Sequence, residues 1–497
     1  MQDMPLPDEP SSALHAEDLG HESDDDVSVD LEFEQHHEVN EFVEGPLEPA
    51  IATEQLPEAP PPLPVDGIQW SSIDLKDADQ IRELWNFLFL NYVEDASEEF
   101  RFDYSVECLA WALLPPNYVP DWHVALRSSS SGSLVGFVAG VPLELRVRET
   151  TLQTVEINFL CVHRDSRGQR LAPALLAELS RRAQLRGVLP HLYTAAKRML
   201  RVVSVTQYYH RTINVRKLVA VKFGYIPRGE TLESQAAYYA LSPAPSVPRL
   251  REMRDTPSDI EGVRSLWHAY SARFSTAVRW TTDEVRHHFL SARGVGAGDG
   301  LGGAGGWRRT NQIVWTYVVE AADGSGRITD FFSFFALSTS VLKAIKTADS
   351  DSEAPTPTPE RAAADSTQSA LAELEKDTAA LERLAGDHAV DGTYLFYYAS
   401  DVGVPANGAK VDEEKLNERL KALVGDALVI ANNAGFDVFN CMTVMDNDAF
   451  LSGRDLKFLP GSGMLNWYLD GYRLHSLAGV RATEDTAVGR GLGVVMI

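Results

Sequence analysis

Three places along the chain combine residue types that could do chemistry. The first is Arg164-Asp165-Ser166-Arg167-Gly168-Gln169-Arg170, followed at once by Leu171-Ala172-Pro173. The apolar run Val155 to His163 in front of it reads as a strand, and Ala172 to Gly187 behind it as a helix with proline in its first turn, where proline is well tolerated. Unpaired N–H groups at a helix start, beside guanidinium groups, suit a pyrophosphate. An ordinary strand-loop-helix connection with exposed arginines satisfies the same spacing. The second place is Cys161 and His163, two residues apart and so on one strand face. That pairing invites an acyl-enzyme, although buried strand cysteines are usually structural. The third is the end of the sequence, Gly491-Leu492-Gly493-Val494-Val495-Met496-Ile497. Its glycines permit close backbone approach, and its apolar residues favour burial of the terminal carboxylate. The competing reading is a closing strand whose charge faces water.

The elements that position these residues can be read from periodicity. Asp77 to Tyr92 is amphipathic, with Ile81, Leu84, Trp85 and Leu88 on one helical stripe. Phe100, Phe102 and Tyr104 alternate, as in a strand or extended loop. Ser133 to Val141 and Leu143 to Arg148 read as two strands, and Thr154 to His163 as a third. Later come a strand over Thr393 to Ala399, a helix over Glu413 to Gly435 and a strand over Asp437 to Met442. Residues 1–66 are acidic and then proline-rich, the composition of a disordered tail. Two stretches read as flexible surface insertions, one near 291–308 (glycine-rich) and one near 344–390, where a Ser/Pro/Ala-rich part precedes a helical Ser369 to Leu384.

Composition excludes several classes. The formal net charge is −26, from 71 acidic and 45 basic residues. A basic nucleic-acid footprint is missing, and general attraction to anionic membranes is not expected. Cys108, Cys161 and Cys441 are far apart, so no zinc or CxxC redox motif exists and a reducing compartment fits. No apolar run reaches membrane-spanning length, and no signal peptide is visible. A cytoplasmic protein follows, with no metal, no permanent cofactor and no stable membrane insertion.

The Arg-Gly-x-Arg-x-Ala spacing of Arg167 to Ala172 resembles the CoA loop of acetyl-CoA-dependent N-acyltransferases. The run Glu156-Ile157-Asn158-Phe159-Leu160-Cys161-Val162-His163 is a signature of protein N-myristoyltransferases, the glycylpeptide N-tetradecanoyltransferases. The likeness continues through Asn91 to Asp95, Phe100 to Ser105, Tyr208 to Arg211, Thr329 to Phe331, Gly435 to Asn440 and Leu456 to Phe458. It covers residues 67–497 apart from the two insertions, and the chain is identified as a divergent, fungal-type member.

The resemblance implies an α/β (α+β) fold of two related acyl-CoA N-acyltransferase-like halves around a central saddle-shaped mixed sheet. Residues 67–246 form the acyl-CoA-binding half and 247–497 the peptide-binding half. It implies a monomer that moves myristate from myristoyl-CoA, a co-substrate, to the N-terminal glycine of client proteins. Trp70, Tyr92, Val93, Phe159, Leu160 and the loop Arg167, Gly168, Gln169, Arg170, Leu171, Ala172, Pro173 serve the acyl-CoA. The N–H groups of Phe159 and Leu160 form the oxyanion hole, Asn158 and Thr194 orient the amine, and the carboxylate of Ile497 is the base. Tyr92, Asp95, Phe100, Phe102, Tyr104, Tyr208, His210, Phe223, Ser333, Ser462, Gly463 and Leu465 match peptide-groove positions. Read singly, any one of the aromatics at 100–104 is as well explained as core, and His210 as a satisfied core histidine.

Three departures from the family stand out. An aromatic Phe-Trp segment that covers CoA is reduced to Leu31-Glu32-Phe33-Glu34-Gln35. Two prolines between Thr194 and Tyr208 are lost, which makes that loop less rigid. The aspartate that reads a substrate hydroxyl is replaced by Ser462. These changes leave room for an alternative, a member that binds acyl-CoA or glycine peptides with little turnover.

Overall fold

The computed structural model describes residues 43–47, 55–92, 100–296, 301–302, 306–341, 389–404, 409–453 and 455–497. Asp77 starts the first helix, Ala78–Asn91: its carboxylate accepts the N–H groups of Asp79 at 2.9 Å and Gln80 at 3.1 Å. These are donors that a helix start leaves open. Ile81, Leu84, Trp85 and Leu88 are all buried, as a 3.6-residue period requires.

Among the described residues a mixed sheet of 14 strands forms the centre. Its main path begins Leu492–Gly493, Thr276–Val278, Leu134–Val147, Thr150–Val162 and His191–Ala195. It continues through Leu459–Asp470, Ser204–Thr212, Val438–Met442, Gly392–Ser400, Ile328–Ala336, Val314–Glu320 and Leu250–Glu252. Sheet order and chain order differ where it matters. Leu459–Asp470 slots between His191–Ala195 and Ser204–Thr212, so a late strand completes the early half. Thr276–Val278 joins Leu134–Val147 to the terminal strand Leu492–Gly493.

Alternation along Leu134–Val147 sends its side chains to two layers. Phe137, Ala139 and Val141 pack under the helix Ala78–Asn91. Val138 packs with Leu171, Leu175 and Leu179 of the helix Leu171–Gln184, and Val135 joins it because the ladder to His123–Ser128 slips by one residue there. Helices thus cover both faces of this strand pair, the layering expected for α/β proteins.

Three expectations are corrected. The two strands read on either side of Pro142 are one, Leu134–Val147. Pairing to His123–Ser128 ends at Ala139 and pairing to Thr276–Val278 begins at Leu145. Pro142 therefore falls in a gap with a partner on one side only, where a missing N–H does no harm. The tail read as 1–66 is in part ordered. Gly45–Pro46 pairs with Tyr472–Arg473, Trp70 Nε1 donates to the Pro61 carbonyl at 3.0 Å, and Leu63 and Val65 pack on the core. Part of the 291–308 insertion also packs: Leu301 and Trp307 lie against the main core, and the Trp315 indole N–H bonds the Trp307 carbonyl at 3.0 Å. Residues 1–42 and nearly all of the 344–390 insertion, with the helical 369–384, lie outside the described residues.

Candidate active site

The centre of the site is a fault in the sheet. Phe137 pairs with Cys161, but Ala139 pairs with Asn158. Val138 therefore faces both Phe159 and Leu160, a β-bulge, which leaves ladder groups unpaired and redirects them. Phe159 adopts φ 56°, a left-handed conformation uncommon for a bulky residue. Burial of its ring holds that conformation: Tyr104 lies at 4.9 Å and Tyr92 at 5.7 Å between ring centroids. The Tyr92 hydroxyl lies near the Phe159 N–H.

Asn158, just before the bulge, is buried and donates from Nδ2 to Glu156 Oε1 at 2.8 Å. Burial lifts the Glu156 carboxyl to about 7, against the pull of that hydrogen bond. Glu156 runs parallel beside Leu192. Asn158 and Thr194 are the residues two steps further along the two strands, and Thr194 is half-buried.

The same strand ends at Val162 and leads into the arginine loop Arg164 to Arg170. Gly168 (φ 79°) and Arg170 (φ 57°) are both left-handed, and such residues turn successive N–H groups toward one concave side. Arg170 stands at the N-cap of Leu171–Gln184, and no side chain caps the helix there. Its first donors are therefore open to a ligand. Leu171 is buried and anchors the loop, Ala172 is half-buried, and Gly168, Gln169 and Pro173 are exposed. Arg167 donates to the Asn91 carbonyl at 2.6 Å, and the Arg164 N–H to Asn91 Oδ1 at 3.1 Å. These bonds lash the loop to the end of the first helix, one residue from Tyr92. Trp70 packs on the same cluster as Leu160 and Leu171. Val93 and Asp95 lie outside the described residues.

From Phe159 a chain of ring contacts leads away. It runs through Tyr104, Phe102 (6.1 Å), Tyr394 (6.4 Å) and Tyr208 (6.4 Å). It goes on to His210 (6.5 Å), Phe223 (6.2 Å) and Phe100 (5.3 Å). Elements from positions 100 to 394 are thus joined in one half-buried aromatic track. His210 Nδ1 shares a 2.7 Å bond with Asn440 Oδ1, and burial lowers its pKa, so the ring is neutral at pH 7. Exposed Ser462 and Gly463 sit over this track, in the irregular part of Leu459–Asp470. The Gly463 Cα faces the Tyr208 ring, and Leu465 pairs with Thr206. Ser333 is placed differently. It is fully buried opposite a bulge of Gly392–Ser400, where its hydroxyl donates to the Tyr397 carbonyl at 2.8 Å and accepts the Tyr397 N–H at 3.1 Å.

The terminal segment returns to this neighbourhood. A Cβ on Gly493 would lie 2.6 Å from the Thr276 carbonyl oxygen, so the strand passes only as glycine. Val494 and Val495 are buried, while Met496 and Ile497 are half-buried. Ile497 packs against the main core and against the cluster that holds Phe159, Tyr92 and Tyr104. The Val495 N–H donates to the Tyr397 hydroxyl at 2.9 Å.

Glu156, Tyr394, Tyr397 and Asn440 join the site without having been assigned roles. Glu156 stood inside the motif, and its isolation among apolar neighbours was the available signal. Tyr394 and Tyr397 read as ordinary strand residues. The acyl-enzyme pairing finds no support: the strand stops before His163, whose Nδ1 accepts the Asp165 N–H at 3.3 Å. Burial pushes the Cys161 thiol up to about 12, the reverse of activation. Among the described residues no acid, cysteine and histidine cluster could hold a metal, and no helix is long and apolar enough to cross a membrane.

Comparison with known proteins bears on the whole chain. The family description "Myristoyl-CoA:protein N-myristoyltransferase, N-terminal domain" matches residues 46–206, and its C-terminal-domain counterpart matches 220–351 and 383–495. The chain is 36% identical over 458 residues to glycylpeptide N-tetradecanoyltransferase of Schizosaccharomyces pombe, covering 91% of this chain and 85% of that protein. It is 36% identical to the Mycosarcoma maydis enzyme of the same name, of which it spans 63%. The crystal structure of Saccharomyces cerevisiae N-myristoyltransferase with bound myristoyl-CoA has a TM-score of 0.73 at 32% identity, covering 92% of this chain and 95% of that one. The bulge, the uncapped helix and the aromatic track thus sit in a chain that belongs to the myristoyl-CoA:protein N-myristoyltransferase family of acyltransferases.

Proposed function

We propose that this protein transfers the myristoyl group of myristoyl-CoA to the N-terminal glycine amine of client proteins by direct attack on the thioester. The bulge carries the reading. A left-handed Phe159 frees backbone donors, twelve residues before the uncapped helix start at Leu171 and at the mouth of an aromatic track. CoA phosphates dock on Arg167 to Ala172. The thioester oxygen takes the N–H groups of Phe159 and Leu160, and Tyr92 gives up its contact with Phe159 to admit it. Donors of this kind contribute about 3–4 kcal/mol each to the transition state.

The peptide lies along Phe100, Phe102, Tyr104, Tyr208, His210 and Phe223, with Ser462, Gly463 and Leu465 above it. Neutral, half-buried rings suit an extended apolar peptide better than a charged one. Asn158, held by Glu156, and Thr194 orient the amine. An α-amino group has a pKa of about 8, so it arrives mostly protonated near neutrality. The Ile497 carboxylate takes that proton. The amine attacks the carbonyl carbon, the C–S bond breaks, and as the amide forms its nitrogen gives a second proton to the departing CoA thiolate, which leaves as the thiol, while the proton held by Ile497 passes to solvent. The packing of Ile497 beside Phe159 and Tyr92 supports this role.

The test is turnover of a glycine-initiated octapeptide with myristoyl-CoA. Deleting Met496 and Ile497, or appending a short C-terminal tag, should lower turnover by about a hundredfold or more while acyl-CoA binding persists. Normal turnover of the tagged protein would place the base elsewhere. Binding of both ligands without turnover in the intact protein would favour a non-catalytic acyl-CoA and peptide binder.

A further inference from the structure

We propose that the Tyr397 hydroxyl sets the position of the terminal carboxylate, which makes Tyr397 a positioning residue of the acyl transfer; this rests on the reading of Ile497 as the base. The phenol oxygen accepts the Val495 N–H at 2.9 Å and donates to the Val495 carbonyl at 3.4 Å. One hydroxyl therefore holds both polar backbone groups of a residue two positions before the end. The last strand pairing is at Gly493. Among the described residues, Tyr397 is the one hydrogen-bonding partner of the backbone beyond it.

That matters because the remaining contacts of the segment are apolar. Hydrophobic packing is non-directional; it keeps Val494 to Ile497 inside but leaves their rotation open. A base must lie within hydrogen-bond reach of its proton, so something directional has to orient the segment. Tyr397 is built to do this. It is 2% exposed, and its ring meets Trp280 edge-on at 4.6 Å and Trp267 at 5.0 Å. Its own N–H and C=O are both held by the Ser333 hydroxyl. Ser333, though matched to a groove position, thus acts here as the brace of the clamp. Tyr397 also lies within electrostatic reach of Glu156, the acid that receives Asn158. Burial raises the phenol's pKa, so it stays protonated and keeps its donor.

The experiment is steady-state kinetics of Tyr397→Phe with myristoyl-CoA and a glycine-initiated octapeptide between pH 6.5 and 9. The ring packing stays and only the hydroxyl goes. Near pH 7 kcat should fall about tenfold to a hundredfold, since a misplacement of an ångström costs that much, with both KM values within about twofold. The deficit should shrink above the amine pKa, because a neutral amine needs no base. Hydrogen exchange of the 492–497 peptide should quicken. A deficit equal at every pH, or normal kcat at pH 7, overturns the clamp. An amide-to-ester replacement at Val495, made by semisynthesis, deletes the same bond with every side chain retained. It should reproduce the pH-dependent loss even if Tyr397→Phe folds poorly, and normal kcat in it also overturns the clamp. Deletion of Met496 and Ile497 separates the two readings. If the truncated protein is active, the base reading falls and the clamp with it. If it is inactive while Tyr397→Phe is normal, the clamp alone falls.

Discussion

Replacing Gly461 by alanine should damage peptide binding selectively. Pairing of Leu459–Asp470 with Ser204–Thr212 jumps from Pro460 to Met464, and Gly461 sits inside the jump. Its carbonyl accepts Gln207 Nε2 at 2.9 Å, and its Cα rests on His210. A Cβ there would come within 2.7 Å of His210 Cδ2, closer still to Nε2, and 3.3 Å from the Tyr208 carbonyl oxygen. The imidazole has nowhere to go: Asn440 holds Nδ1, and Tyr208 and Phe223 flank the ring. Gly461 is not among the left-handed glycines, so the cost is steric rather than conformational. Overpacking of this kind costs about 1–3 kcal/mol, or about five- to 150-fold in affinity. Peptide KM should rise by that factor, while acyl-CoA affinity by calorimetry stays within about twofold. A double-mutant cycle with His210→Ala decides the cause. Removing the ring removes the overlap, so the double variant should bind peptide within about 0.5 kcal/mol of His210→Ala alone. Additive losses, or an unchanged KM in Gly461→Ala, would refute the steric argument.

Other outcomes can be stated briefly. Arg167→Ala and Arg170→Ala should each weaken CoA binding by about 1.5–3 kcal/mol; Arg167 also loses its bond to the Asn91 carbonyl, so its variant should in addition loosen the loop to proteolysis. Unchanged calorimetric affinity for CoA would remove the assignment. The carboxyl of Glu156 sits at about 7 when folded, against about 4.3 unfolded. The folded state then holds a proton the unfolded state has released, so this contribution to stability is complete below about pH 4.3 and is lost as pH rises through 7. Glu156→Gln should flatten urea stability between pH 5 and 8 by a few kcal/mol, and identical slopes in both proteins would count against it. Truncations beginning at Val43 and at Gly67 should differ. The longer deletion strips Leu63, Val65 and the Trp70 partner Pro61 from the core, and should lower the melting temperature by about 2–4 °C for each kcal/mol lost. Equal melting would show that these contacts contribute nothing.

Much of this was written locally in the chain. The helix Ala78–Asn91 could be placed from its apolar stripe and from Asp77, because a cap acts within three residues. The arginine loop could be placed because strand, arginines, glycine and helix start are contiguous. The aromatics of the track could be grouped only by resemblance to a family. Their alternation at 100–104 fits a core strand equally well, and their shared track needs four separate segments to meet.

What stayed hidden was the work of neighbours distant in sequence. No residue at 159–160 prefers a left-handed backbone; the bulge arises because the partner strand supplies one residue where two must fit. Pro142 does not break its strand, because flanking strands from elsewhere happen to leave that position open. Ser333, matched to a groove position by resemblance alone, has its hydroxyl taken up by a bulge at Tyr397, 64 residues away in sequence. Composition, periodicity and contiguous motifs report what each segment can be, since propensity and capping depend on residues a few positions apart. The bulge at Phe159, the aromatic track and the seat of Ile497 depend on register and on strands joined across hundreds of residues. Those are decided only when the sheet closes and each buried polar group must find its partner.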